Sequence, residues 1–194
     1  MDTSDYLYHY TNIETLALIL KNRTIRFNPL NKMDDLQEQE TADIKNIGQF
    51  CYISSWTDEI TESIPMWNMY ASLDSGVRIG LKKNPFQKHS VTPIALSKAL
   101  NMPLANNENN TSNIQPCPSL ETYIPILDMI KCNFISGDIL FAYYDMLIDD
   151  NLFSQMIVTA SPKMSAGNKV IIDTLIKEYN PTAILIPSSL TNLI

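Results

Sequence analysis

An α+β fold is the class this sequence predicts, and three observations predict it. Short segments rich in Tyr, Val and Ile, at residues 6–10, 77–81 and 183–186, have the composition and length of strands. Two longer stretches, at residues 12–21 and 169–179, repeat their apolar residues at helical spacing. Helices cluster in the first half and at the C-terminal end, and no internal repeat is present.

Along the chain, residues 6–10 read as a strand. Thr11-Asn12-Ile13-Glu14 then fits a capping box, whose hydroxyl and carboxylate would satisfy the first free amides of a helix. Ile13, Leu16, Ile19 and Leu20 give that helix one buried face, and Lys21-Asn22 ends it. Residues 24–27 are strand-like until Asn28-Pro29. Five acids and no base follow between residues 34 and 43, and 50–54 is the next strand candidate. Ser63 and Pro65 open a helix to about Leu73, because proline is tolerated in a first turn. Ser75-Gly76 turns the chain into the strand 77–81. The stretch 101–119 holds six Asn and three Pro and predicts a flexible loop or insertion. Beyond it, 122–127 reads as an edge strand because of Pro125. Residues 139–147 and 156–159 are also strand-like, 169–179 is helical, and 183–186 is a closing buried strand.

The length of 194 residues suits one large domain, and 45% hydrophobic with 18% charged residues excludes wholesale disorder. A net charge of -7 argues against broad, sequence-blind adhesion to nucleic acid, which needs Lys and Arg to neutralise phosphates. Three irregularly spaced cysteines (Cys51, Cys117, Cys132) and two histidines (His9, His89) make no zinc pattern. The acidic start lacks the features of a secretory signal, and no apolar run approaches the ~20 residues of a membrane span. A soluble, cytoplasmic protein with reduced thiols and no membrane association is expected.

The motif carrying most chemistry is His9-Tyr10-Thr11, where a strand meets a helix; Met66-Trp67-Asn68-Met69-Tyr70 adds a second aromatic pair. The order Leu7-Tyr8-His9-Tyr10-Thr11, Ile25-Arg26-Phe27, Met33 to Glu38, Ile53-Ser54-Ser55-Trp56, Met66 to Tyr70 and Gly76-Val77-Arg78-Ile79 resembles a widespread bacterial domain family of unknown function. Residues 6–86 carry the resemblance well and 152–194 loosely. That family is in turn distantly similar to ADP-ribosyltransferases. The resemblance implies an ADP-ribosyltransferase-like split β-sheet core flanked by helices. It also implies NAD as co-substrate with no metal, and a bacterial toxin or anti-phage effector acting on a nucleic acid or protein, with an antitoxin or chaperone as partner. His9 would hold a ribose, and Tyr70 or Trp67 would stack near the nicotinamide. A late glutamate would complete the site. The family's Glu-x-Glu-x-Arg run is absent here; Glu121 is the nearest candidate, with Glu38 or Asp34 as substitutes. Without that carboxylate the alternative is a catalytically silent module that binds a nucleotide or a protein.

The chemistry explains why such residues would be needed. Breaking the N-glycosidic bond of NAD builds positive charge on the ribose, and removing one group that stabilises such charge commonly costs about 3 kcal/mol. Imidazole and hydroxyl groups hold the reacting geometry, while aromatic faces stack the leaving ring. Each residue also has a plainer reading. His9 would bond a backbone carbonyl, Thr11 would cap the helix, and Trp67 with Tyr70 would pack in the core. Arg26 binds a pyrophosphate or pairs with a nearby acid; Ser54 and Ser55 touch the nicotinamide-bearing ribose or are ordinary strand serines.

Overall fold

The computed structural model describes residues 5–32, 48, 51–91, 120–123 and 141–193. The chain is mixed α+β and divides into two compact units. The first comprises Met1–Arg26, Ile53–Phe86 and Leu147–Ile194; the second comprises Phe27–Tyr52 and Gln87–Met146. Asp34, Glu38, the stretch 101–119 and most of the proposed strand 122–127 lie outside the described residues.

The first unit is built on a four-stranded sheet. Its strands are β1 (Tyr6–Asn12), β4 (Gly76–Lys82), β8 (Ile157–Ala160) and β9 (Ile184–Pro187), in the order β1-β4-β8-β9. β1 pairs antiparallel with β4 from Tyr6↔Lys82 to Asn12↔Gly76, and β4 pairs antiparallel with β8. β8 runs parallel to β9, joined through a helix, α4 (Ala166–Tyr179). The register puts Tyr6, Tyr8, Tyr10, Arg78 and Thr159 on one face and His9, Thr11, Val77, Ile79 and Val158 on the other.

The sheet is packed by α1 (Ile13–Asn22), which lies against β1, β4 and α4. Leu16, Ile19 and Leu20 are its buried face, as the spacing predicts, and each contributes roughly 1.5–3 kcal/mol by leaving water. The cap differs from the expectation. Asn12, not Thr11, accepts from the Thr15 amide at 2.7 Å, while Thr11 stays in the strand opposite Val77. Both residues can cap a helix, and the ladder to β4 settles which one does. At the other end Arg23 adopts φ 55° and returns its amide to the Ile19 carbonyl.

The helix α2 (Ile64–Tyr70) is shorter than its sequence suggests, since Ala71 leaves the helical region at φ -138°, ψ -116°. The one-turn helix α3 (Asp150–Phe153) precedes β8. The closing strand β9 is correctly placed but is not buried. Ile184 and Ile186 are 46% and 38% exposed because, among the described residues, β9 is the outermost strand of this sheet and pairs with β8 alone.

The strands β3 (Tyr52–Ile53), β2 (Thr24–Pro29) and β7 (Tyr144–Leu147) form a three-stranded sheet in that order. In the second unit β5 (His89–Val91) pairs antiparallel with β6 (Leu120–Thr122), which sets Ser90 opposite Glu121. Among the described residues no helix is long and apolar enough to cross a membrane.

Candidate functional site

The outer edge of β1 is covered by residues 54–58. Tyr8 and Thr57 exchange both backbone hydrogen bonds, at 2.7 and 2.9 Å, so this segment runs antiparallel to the strand. The pairing delivers the Ser55 carbonyl to His9 Nδ1 at 2.8 Å and sets the Trp56 ring 5.1 Å from the imidazole, tilted by 35°. A carbonyl only accepts, so Nδ1 carries the proton and the neutral ring presents Nε2 as an acceptor. Burial holds the imidazole below its ordinary 6.5, partly offset by the bond to Ser55.

The other wall comes from α2, which packs on β1. Trp67 turns inward, is fully buried, and meets Tyr10 edge to face at 5.0 Å. Met66 and Tyr70, four residues apart on the helix, then fall on one side. His9, Tyr10, Ser55, Trp56, Met66 and Tyr70 line a cleft of about 160 Å³, all within the first unit. That volume matches one six-membered ring, since a dry cavity of about 150 Å³ takes a benzene.

Two buried ionic groups support this wall. Arg78, 5% exposed, lies over the Tyr8 ring at 4.1 Å and donates to the Ile60 carbonyl at 3.1 Å and to the Tyr10 hydroxyl at 3.4 Å. Gly80 makes room for the Tyr8 ring, which a Cβ there would approach to 3.0 Å. Glu62 accepts from Trp67 Nε1 at 3.1 Å, from the Ser188 hydroxyl, and from the Ser189 amide at 2.7 Å. Burial pushes the Glu62 carboxyl up, but the bonds from Ser188 and Ser189 and the charge of Arg78 outweigh it and hold the group below its ordinary value. Glu62 thereby ties α2 to the turn that follows β9.

Of the residues expected from the sequence, His9, Tyr10 and Tyr70 are brought together in this cleft. Trp67 is not a stacking surface, because its ring is enclosed and its N–H is spent on Glu62. Thr11 is buried opposite Val77, away from the cleft lining. Ser54 acts one step back, its hydroxyl accepting from Trp56 Nε1 at 3.0 Å. Arg26 is an exposed residue of β2 outside the lining, and Glu121 lies on β6 in the second unit. Ser55, weighed with Ser54 as a ribose contact, lines the cleft, whereas Trp56 and Met66 were not expected there. Ser54-Ser55-Trp56 was recognisable as a motif, but local sequence carries no sign that it lies beside β1. Glu62 and Arg78 were equally silent, since a single charged residue gives no hint of its burial. No family model matches the chain, and no curated protein or solved structure matches it.

Proposed function

We propose that the chain is an ADP-ribosyltransferase-like enzyme that uses NAD and seats the nicotinamide end in the His9–Trp56–Tyr70 cleft. The observation that carries this reading is the meeting of His9 and Tyr70 at one ring-sized hollow, from segments far apart in sequence. Trp56 and Tyr70 offer aromatic faces to the ring, and His9 Nε2 accepts a hydrogen bond from a ligand hydroxyl or amide. A volume of about 160 Å³ admits the ring alone, so ribose and phosphates extend outside the cleft. Cleaving the ring–ribose bond leaves positive charge on the ribose, which a carboxylate stabilises in such an enzyme. On this reading the fold is of the ADP-ribosyltransferase-like type, an α+β core with its sheets flanked by helices. The biological role is that of a bacterial toxin or anti-phage effector modifying a nucleic acid or protein.

A second reading is favoured by one feature of the cleft: among the described residues none that lines it is a carboxylate. The same site would then bind a ring-bearing nucleotide without turning it over. Incubation of the purified chain with labelled NAD and cell extract separates the two. The enzyme reading expects nicotinamide release and label on a macromolecule, both lowered roughly hundredfold in His9→Ala and Tyr70→Ala. Binding without turnover selects the silent module, and the absence of binding, hydrolysis and transfer removes both readings.

A further inference from the structure

We propose that the second unit carries a binding site of its own, for a small flat molecule that bears an oxyanion: an aromatic body ending in a carboxylate or a phosphate. The site is a hollow of about 320 Å³, lined among the described residues by Pro29, Asn31, Lys32, Phe141 and Ala142, all of the second unit. None of these residues lines the His9 cleft, and the proposed reaction makes no use of them.

Two segments far apart in sequence build the hollow, and each is fastened by bonds within the chain. β2 ends at Pro29, which is buried, and the Leu30 amide donates to the Cys51 carbonyl at 2.7 Å, which holds the short 3-10 turn Leu30–Lys32 in place. In the other segment the Tyr52 hydroxyl donates to the Phe141 carbonyl at 2.6 Å, and the Phe141 ring meets Tyr144 edge to face at 5.6 Å. Lys32 Nζ links the two segments by donating to the Ala142 carbonyl at 3.1 Å. The walls therefore stand before a ligand arrives, and binding does not have to order them.

The lining sets the chemistry of the ligand. Pro29 and Phe141 supply apolar ring surface against which a flat body leaves water. The volume is about twice the ~150 Å³ that takes a benzene, so a body of two fused rings fits. An ammonium has three donors, and Lys32 spends one on the Ala142 carbonyl. Among the described residues no carboxylate lies within ion-pair distance of Lys32, and none lines the hollow to repel an anion. The Asn31 carboxamide beside it makes no hydrogen bond among the described residues. An ammonium and an amide NH2 at one rim match the oxygens of a carboxylate or phosphate, while the apolar walls take the ring.

Three probes of one shape test the proposal by calorimetric titration of the whole chain: 2-naphthoate, 2-naphthyl phosphate and the neutral 2-naphthylmethanol. At least one anion is expected to bind about threefold to fivefold more tightly than the alcohol, the effect of an ion pair open to water, and the preference falls with added salt. Which anion is preferred identifies the head group. Lys32→Met keeps the apolar stem and abolishes the preference with the alcohol's affinity unchanged, whereas Lys32→Arg retains it. Three results overturn the proposal: no probe binds, the alcohol binds as tightly as both anions, or the preference survives Lys32→Met.

Discussion

Replacing Glu62 with glutamine changes one oxygen into an NH2 and leaves the side chain's shape intact, so the effect follows from the hydrogen bonds alone. One carboxylate oxygen accepts from Trp67 Nε1 and the Ser188 hydroxyl, the other from the Ser189 amide. Whichever way the amide is turned, its NH2 faces an N–H that cannot accept. That buried donor loses its partner, at a cost of about 1–3 kcal/mol, and the surviving bonds lose their charge assistance. Arg78 also loses a weaker coulombic attraction to the carboxylate. Together these amount to about 3 kcal/mol, the upper end of the cost of leaving a buried donor without its partner. For a chain of this size that is a fall of roughly 6–12 °C in Tm. Calorimetric melting at neutral pH reads it directly. Acid supplies an independent check. The folded carboxyl lies below its ordinary 4.5, so between the two values the unfolded chain binds more protons and stability rises with pH. The contribution is complete above 4.5 and is lost as pH falls through the depressed folded value. The deficit of Glu62→Gln against wild type therefore shrinks on acidification. A melting point within about 1 °C of wild type at neutral pH, or a deficit that does not change on acidification, refutes the reasoning.

Three further outcomes are expected. Gly76→Ala places a Cβ 2.5 Å from the Ser72 carbonyl oxygen and 2.7 Å from Ala71 Cβ, so backbone must move; a loss of about 2–3 kcal/mol in chemical denaturation is expected, and a neutral result contradicts the close approach. The His9 imidazole is held below 6.5 by burial, so its contribution to stability is present above 6.5 and is lost as pH falls through the depressed value; the Tm difference between wild type and His9→Gln should change across that acid window and be level above it. Asp150→Asn breaks the 2.7 Å ion pair with Arg23, but the two side chains are 80% and 53% exposed, so denaturation should shift by no more than about 0.5 kcal/mol, and less in high salt.

Local periodicity was enough to read the elements whose neighbours agree with their own pattern. Leu16, Ile19 and Leu20 repeat at helical spacing and are the buried face of α1, and the β-rich segments at β1 and β4 form a paired ladder. His9 and Tyr70, singled out in the sequence as a hydrogen-bonding ring at the end of a strand and an aromatic on a helix, line one cleft. Periodicity could not decide between adjacent residues with the same propensity. Asn12 and Thr11 both cap helices, and the pairing of Thr11 with Val77 chose between them. The apolar run at β9 reads as buried, yet sheet order left Ile184 and Ile186 exposed at an edge.

The sequence by itself determined the α+β class, the positions of α1, α4, β1 and β4, and the imidazole and phenol of the cleft, since each rests on interactions a few residues apart. Tertiary structure alone decided that Trp67 turns inward and Met66 and Tyr70 outward, for the Trp67 indole is held by a carboxylate fastened to Ser188 and Ser189 near the other end of the chain. It likewise decided the state of His9 and the place of Trp56, because both follow from one backbone bridge between Tyr8 and Thr57. Contacts between residues so distant in sequence leave no trace in local spacing; they exist only once the sheet has formed and excluded water from between them.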